Sequence, residues 1–121
     1  MAIINKDKYL KDIAGRVQRG AMYFEQGDRP AVEMGGRKVY VSSVFLSHDR
    51  GELAYTVANA YGDVLPSAHG MRALRDLDVR TISAVDRVVG RYAAMRLERE
   101  NNVRRIASQV KGVAKKSYLG L

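Results

Sequence analysis

The chain has 121 residues, 46% apolar and 28% charged, which suits one domain with one modest core and excludes a wholly disordered chain. It has no cysteine, so a disulfide framework, a thiolate nucleophile and a cysteine-based zinc site are ruled out and a reducing compartment is expected. Lys and Arg number 21 against 13 acidic residues, a net charge of +8, which directs the search for partners toward polyanions.

The first residues, Met1 to Lys8, carry no apolar stretch ahead of a small-residue cleavage site, and no run approaches the roughly 18 apolar residues of a membrane span. A cytoplasmic protein without membrane contact is expected. Asn5 reads as the N-cap of a first helix, Lys6 to Arg19, with Asp7 in the first turn and Gly20 as the stop. Tyr9, Leu10, Ile13 and Val17 form its apolar face. Residues 21 to 30 hold Met22, Tyr23 and Phe24 and then turn chemistry, the pattern of an anchored connection.

From Ala31 the periodicity changes from 3.6 to 2. Ala31 to Met34 and Arg37 to Ser47 flank Gly35-Gly36, a pair suited to a tight hairpin. Strict alternation places Val39, Val41 and Ser43 on one face and Lys38, Tyr40, Ser42, Val44 and Leu46 on the other, and the run Val44-Phe45-Leu46 breaks that polarity. His48 to Gly51 forms a turn. Glu52 to Tyr61 is a third strand with Leu53, Tyr55 and Val57 on one face, and Gly62-Asp63 turns the chain into Val64-Leu65-Pro66.

Ser67 to Gly70 reads as a loop, after which Met71, Leu74 and Leu77 have the spacing of one or two helical turns. Asp78 caps a long helical stretch bearing Val79, Ile82, Val85, Val89 and Tyr92, followed by Val103, Ile106, Val110 and Val113. The two stripes stay in phase if the helix is unbroken. Asn101-Asn102 is a plausible break, and two helices are expected, because an unbroken run to Lys116 is unusually long for a small domain. The fold class is therefore α+β: an N-terminal helix, a three- or four-stranded antiparallel meander and a long C-terminal helix or helix pair. Residues 1–121 form a single domain in this reading, with 91–121 as its basic helical segment.

Enzymatic chemistry finds little support. His48 and His69 both lie in turn sequence without a second ligand at helical spacing. Ser42-Ser43 lies in a strand and lacks a nucleophile elbow. Gly35-Gly36-Arg37-Lys38 has the composition of a phosphate loop without its spacing or its following helix. Asp63, Asp76, Asp78 and Asp86 form no pair that the spacing demands. A non-enzymatic protein with no cofactor and no metal is expected.

Charge placement is more informative. Residues 91–121 carry Arg91, Arg96, Arg99, Arg104, Arg105, Lys111, Lys115 and Lys116 against Glu98 and Glu100, so six of the eight net charges lie in the last quarter of the chain. At about 100° per residue, Arg104, Ser108, Lys111 and Lys115 form a row beside the stripe of Val103, Ile106, Val110 and Val113. Arg105 and Lys116 lie on the far side. Arg96 and Arg99 fall on the stripe itself, so that part of the helix is expected to face solvent, a ligand or another subunit. Such a row can meet successive phosphates, and with Tyr92 and Tyr118 as its only aromatics it has little to stack on bases.

The segments Gly36-Arg37-Lys38-Val39-Tyr40-Val41-Ser42-Ser43-Val44-Phe45-Leu46 and Glu52-Leu53-Ala54-Tyr55-Thr56-Val57, with Leu74-x-x-Leu77 leading to Arg80-Thr81-Ile82, are similar to small uncharacterised proteins of phages and mobile elements of gut Bacteroidales. The resemblance covers Gly36 to Val89, under half the chain. It implies a phage setting and carries no activity.

The function expected is a small binding protein that contacts nucleic acid through its basic C-terminal helix. Two alternatives come from other classes. One is a phage counter-defence protein that sequesters a nucleotide second messenger at a subunit interface. The other is a structural oligomerisation module. A homo-oligomer is expected, because the apolar stripe is longer than a body of this size can cover.

Overall fold

The computed structural model describes residues 5–18, 20–48, 51–67 and 71–119, with side chains as far as Ser108. The chain forms two units, Met1–Gly90 and Arg91–Leu121. The first contains α1 (Lys6–Arg16), β1 (Met22–Tyr23), β2 (Ala31–Met34), β3 (Arg37–Leu46), β4 (Leu53–Ala58), β5 (Val64–Leu65) and β6 (Arg72–Ala73), together with the start of α2 (Val79–Leu119). The α+β class, the leading helix, the antiparallel meander and the long last helix all stand as the sequence implies.

In α1, Asn5 Oδ1 accepts the Asp7 amide at 2.9 Å, the capping bond its sequence promises. The helix ends at Arg16, short of the expected Arg19. The Val17 amide donates to the Ile13 carbonyl, and the Gly20 amide then donates to the Val17 carbonyl as the chain turns at Gly20, where φ is 124°. Arg19 lies outside the described residues. Ile13 and Val17 are fully buried, whereas Tyr9 and Leu10 are half-buried.

The sheet is antiparallel, with β3 and β4 at its centre. β1 and β2 share the free edge of β3, and β5 and β6 share that of β4. Gly35 and Gly36 join β2 to β3 with φ of 56° and 76°, the doubly left-handed turn that matches strand twist and favours glycine at both positions. β4 stops at Ala58, earlier than the expected Tyr61, because Asn59 Oδ1 captures the amides of Tyr61 and Asp63 and folds the chain into a side-chain-stabilised turn. β1 arises where a connection is expected. Its signal is short: Met22 and Phe24 are buried and Tyr23 between them is exposed. The helical turns expected from Met71 are replaced by β6 and a single 3-10 turn, Leu74–Asp76, which still buries Leu74 and Leu77.

Strict alternation fails in β3 for a specific reason. Val41 pairs with Val57, but Ser43 pairs with Thr56, leaving Ser42 as an extra residue in a β-bulge. The bulge resets the side-chain phase. Val44 thereby joins Val39 and Val41 on the core face, and Ser42 and Ser43 fall together on the opposite face, which is why Val44-Phe45-Leu46 looks irregular in sequence. The core-face valines of β3 are buried in the same unit as Ile13 and Val17 at the end of α1 and as Ile82, Val85 and Val89 in the first turns of α2, which are completely buried. Each such side chain contributes about 1.5–3 kcal/mol through removal from water.

α2 is one helix through Asn101-Asn102, not two. Asparagine costs at most roughly 0.7 kcal/mol against alanine in a helix, too little to break one without Gly or Pro. Arg105 Nη2 also donates to Asn102 Oδ1 at 2.6 Å, which occupies the amide that competes with the backbone.

Candidate functional site

The basic segment begins where the first unit ends. From Arg91 to Ser108 no described side chain is fully buried, and Arg96, Arg99, Arg104 and Arg105 are exposed. Helical geometry places Arg96 and Arg99 in line with Val103 and Ile106, which are 59% and 57% exposed, so both arginines occupy a face on which a core residue is due. Arg104 and Ser108 lie one turn apart along the neighbouring flank. Arg105 is turned to Asn102. The side chains of Lys111, Lys115 and Lys116 lie outside the described residues, although the backbone that carries them is helical to Leu119. Four of the seven expected anion-binding residues are thus on an exposed helical surface. Between Arg91 and Arg105 five cations stand against Glu98 and Glu100, an excess of positive charge along this segment.

Three of the aspartates considered for catalysis make hydrogen bonds or ion pairs. His48 is exposed in its turn, and His69 lies outside the described residues. Asp63 accepts from the Asn59 side chain at 3.3 Å. Asp78 caps α2 by accepting the Thr81 amide at 2.9 Å, and hydrogen bonding from Thr81 holds its carboxyl below the ordinary range. Asp86 receives Arg16 at 3.3 Å; burial nevertheless pushes its carboxyl up, with Arg16 acting in the other direction. Gly90 makes room for that guanidinium, since a Cβ there would stand 3.1 Å from Arg16 Nη1. Among the described residues no group of three His, Asp or Glu side chains could hold a metal ion.

One constellation escapes a reading of spacing altogether. The bulge presents Ser42 and Ser43, each only 3% exposed, to Thr56 on the adjacent strand. Thr56 Oγ1 lies 2.6 Å from both serine hydroxyls. The chain between β1 and β2 arches over this point, fixed by Phe24 N donating to the Ser42 carbonyl and Val41 N donating to the Pro30 carbonyl. Arg29 on that arch donates from Nε to the Phe24 carbonyl at 3.1 Å, while its Nη1 is buried with no hydrogen-bond partner among the described residues. A buried donor left unpaired costs about 1–3 kcal/mol, and more on a charged group. These four residues and Tyr23, Phe45 and Val64 line a cavity of 340 Å³. Arg29 and the serines are far apart in sequence, and only an unpredicted strand and an unpredicted bulge bring them together.

Comparison with known proteins finds no matching family model, no matching curated protein and no matching solved structure. No described helix is long and apolar enough to cross a membrane.

Proposed function

We propose that this is a non-enzymatic protein that binds nucleic acid through the phosphate backbone, using the basic helical surface that follows Gly90. The observation that carries the reading is the exposure of Arg96, Arg99, Arg104 and Arg105 on a single helix. Arginine forks suit phosphate oxygens, and the scarcity of aromatics favours backbone contact over base stacking. Lys111 and Lys115 continue the row of Arg104 in sequence, and the proposal includes them.

The test is a triple substitution, Arg104, Lys111 and Lys115 to Gln, which preserves side-chain length and helix propensity. If each cation neutralises one phosphate of duplex DNA, the slope of log affinity against log salt flattens by roughly 2.7, about 0.9 per contact. The control is Lys6, Lys8 and Lys11 to Gln on α1. Equal losses in the two triples would reduce the effect to overall charge and remove the row as a site. Retention of a discrete small nucleotide in native mass spectrometry would instead move the reading to sequestration of a nucleotide signal between subunits.

A second reading, compatible with the first, is self-association through the exposed line of Val103 and Ile106. Apolar side chains repeated along one helical face find a partner more readily than water. Sedimentation at tens of micromolar should give at least a dimer, and a 13.5 kDa monomer would dispose of the idea.

A further inference from the structure

We propose that the cavity over the Ser42-Ser43 bulge is a binding site for a small oxyanion, a phosphate or carboxylate group, separate from the basic helical surface. Its inner lining is a set of donors in want of an acceptor. The three hydroxyls of Ser42, Ser43 and Thr56 carry three protons, and the two bonds among them use two, so one O–H remains free to donate outward. Arg29 also lines the cavity, and its guanidinium carries at Nη1 a buried donor that no described residue accepts. Its guanidinium is held in place by the bond from Nε to the Phe24 carbonyl, so it meets a ligand already oriented.

Charge selects the class of ligand. None of the described residues lining the cavity is a carboxylate, so the half-buried guanidinium meets no counter-charge within it, and a cation drawn out of water favours a charged or hydrogen-bonding partner. A neutral acceptor would satisfy the hydrogen bonds and leave the charge, whereas an oxyanion satisfies both. The volume of 340 Å³ lies at the lower end for small-molecule sites and exceeds what one oxyanion fills. Tyr23, 74% exposed, and Val64, 61% exposed, supply an apolar rim suited to the carbon skeleton of a small organic acid or phosphate monoester.

The test uses the full chain at constant ionic strength, titrated separately with inorganic phosphate and with acetate and followed by amide and arginine Nε–H chemical shifts. The expected result is saturable shifts, for at least one of the two anions, centred on Arg29, Ser42, Ser43 and Thr56. Phosphate alone, acetate alone or both then identifies the source of the oxyanion. In calorimetry Arg29→Gln should weaken that binding by about 10- to 100-fold, the range expected for hydrogen bonds to a charged group. Thr56→Val should weaken it less, and Arg104→Gln with Arg105→Gln should leave it unchanged. Shifts confined to residues 91–108, an Arg29→Gln protein that binds like the wild type, or no saturable binding of either anion at millimolar concentration would each overturn the proposal. Should Arg29→Gln fail to fold, the titration of the wild-type protein still decides the question. The helical variants keep this site distinguishable from the nucleic-acid surface, because each can fail while the other stands.

Discussion

Within α2, Ile82, Val85 and Val89 are completely buried, whereas Val103 and Ile106, at the same helical spacing, are more than half exposed. Residues 79–90 use their apolar stripe to close the core beneath the sheet. Residues 91–108 carry a stripe of the same period with nothing described over it, and arginines interrupt it at 96 and 99. Periodicity therefore specifies which side chains share a face and leaves open what covers that face. The stretch that is covered serves stability. The stretch that is not leaves apolar and cationic side chains at the surface.

The strongest way to break this comparison is to truncate one side chain in each stretch. Ile82→Ala leaves a cavity in a packed core and should destabilise the protein by about 2–5 kcal/mol in urea denaturation. Ile106→Ala should change stability by no more than about 0.5 kcal/mol in a monomer, as expected of an exposed position. A larger loss at Ile106 that grows with protein concentration would show the second stretch covered by another copy of the chain. Equal, concentration-independent losses at the two sites would collapse the distinction.

Much of the architecture was legible because it rests on local chemistry. Asn5 and Asp78 cap their helices, Gly35-Gly36 turns the hairpin, and Leu53, Tyr55 and Val57 alternate into the core, each for a reason contained within a few residues. What escaped depends on pairing at a distance. β1 and β6 are two residues each and exist only because β3 and β4 offer them an edge. The bulge at Ser42 is a register event between strands, visible in sequence only as an irregularity at Val44-Phe45-Leu46. The candidate sites divide in the same way. The arginines of the helix announce themselves by density, whereas Arg29 is an unremarkable residue before a proline until the fold lowers it over two serines. Asn101-Asn102 points the other way: its weak helix propensity suggests a break, yet the helix runs straight through it, because two asparagines without Gly or Pro cost too little to end a helix.

A smaller effect sharpens the comparison at the entry to α2. Asp78→Ala removes the acceptor of the Thr81 amide and should cost about 1 kcal/mol, with increased hydrogen exchange confined to the residues ahead of buried Ile82. Spread of that exchange beyond Gly90 would mean that the exposed stretch depends on the same cap. Because hydrogen bonding lowers the Asp78 carboxyl, its contribution is present above the ordinary carboxylate value and is lost as pH falls through the lowered one.

The smallest effect concerns Asp86, where the buried stretch carries a charge. Burial raises its carboxyl, with Arg16 and Lys8 opposing and Asp12 reinforcing the shift. A raised carboxyl favours the folded state in its protonated form, so the stability it contributes is fully present below the ordinary value and declines as pH rises through the folded one. Asp86→Asn keeps the shape and an oxygen that can accept from Arg16 while fixing the group in its neutral form. The stability of the wild type relative to this variant should therefore fall as pH is raised from about 3 to 7, across the ordinary and raised carboxylate range. The change should stay below about 1 kcal/mol, because the carboxyl is only partly buried and the attraction of Arg16 offsets part of the burial penalty. Urea midpoints of the two proteins measured across that range decide the sign. A relative stability that rises with pH would mean that the ion pair with Arg16 outweighs burial, and that residues 79–90 hold to the core by charge as well as by their apolar stripe.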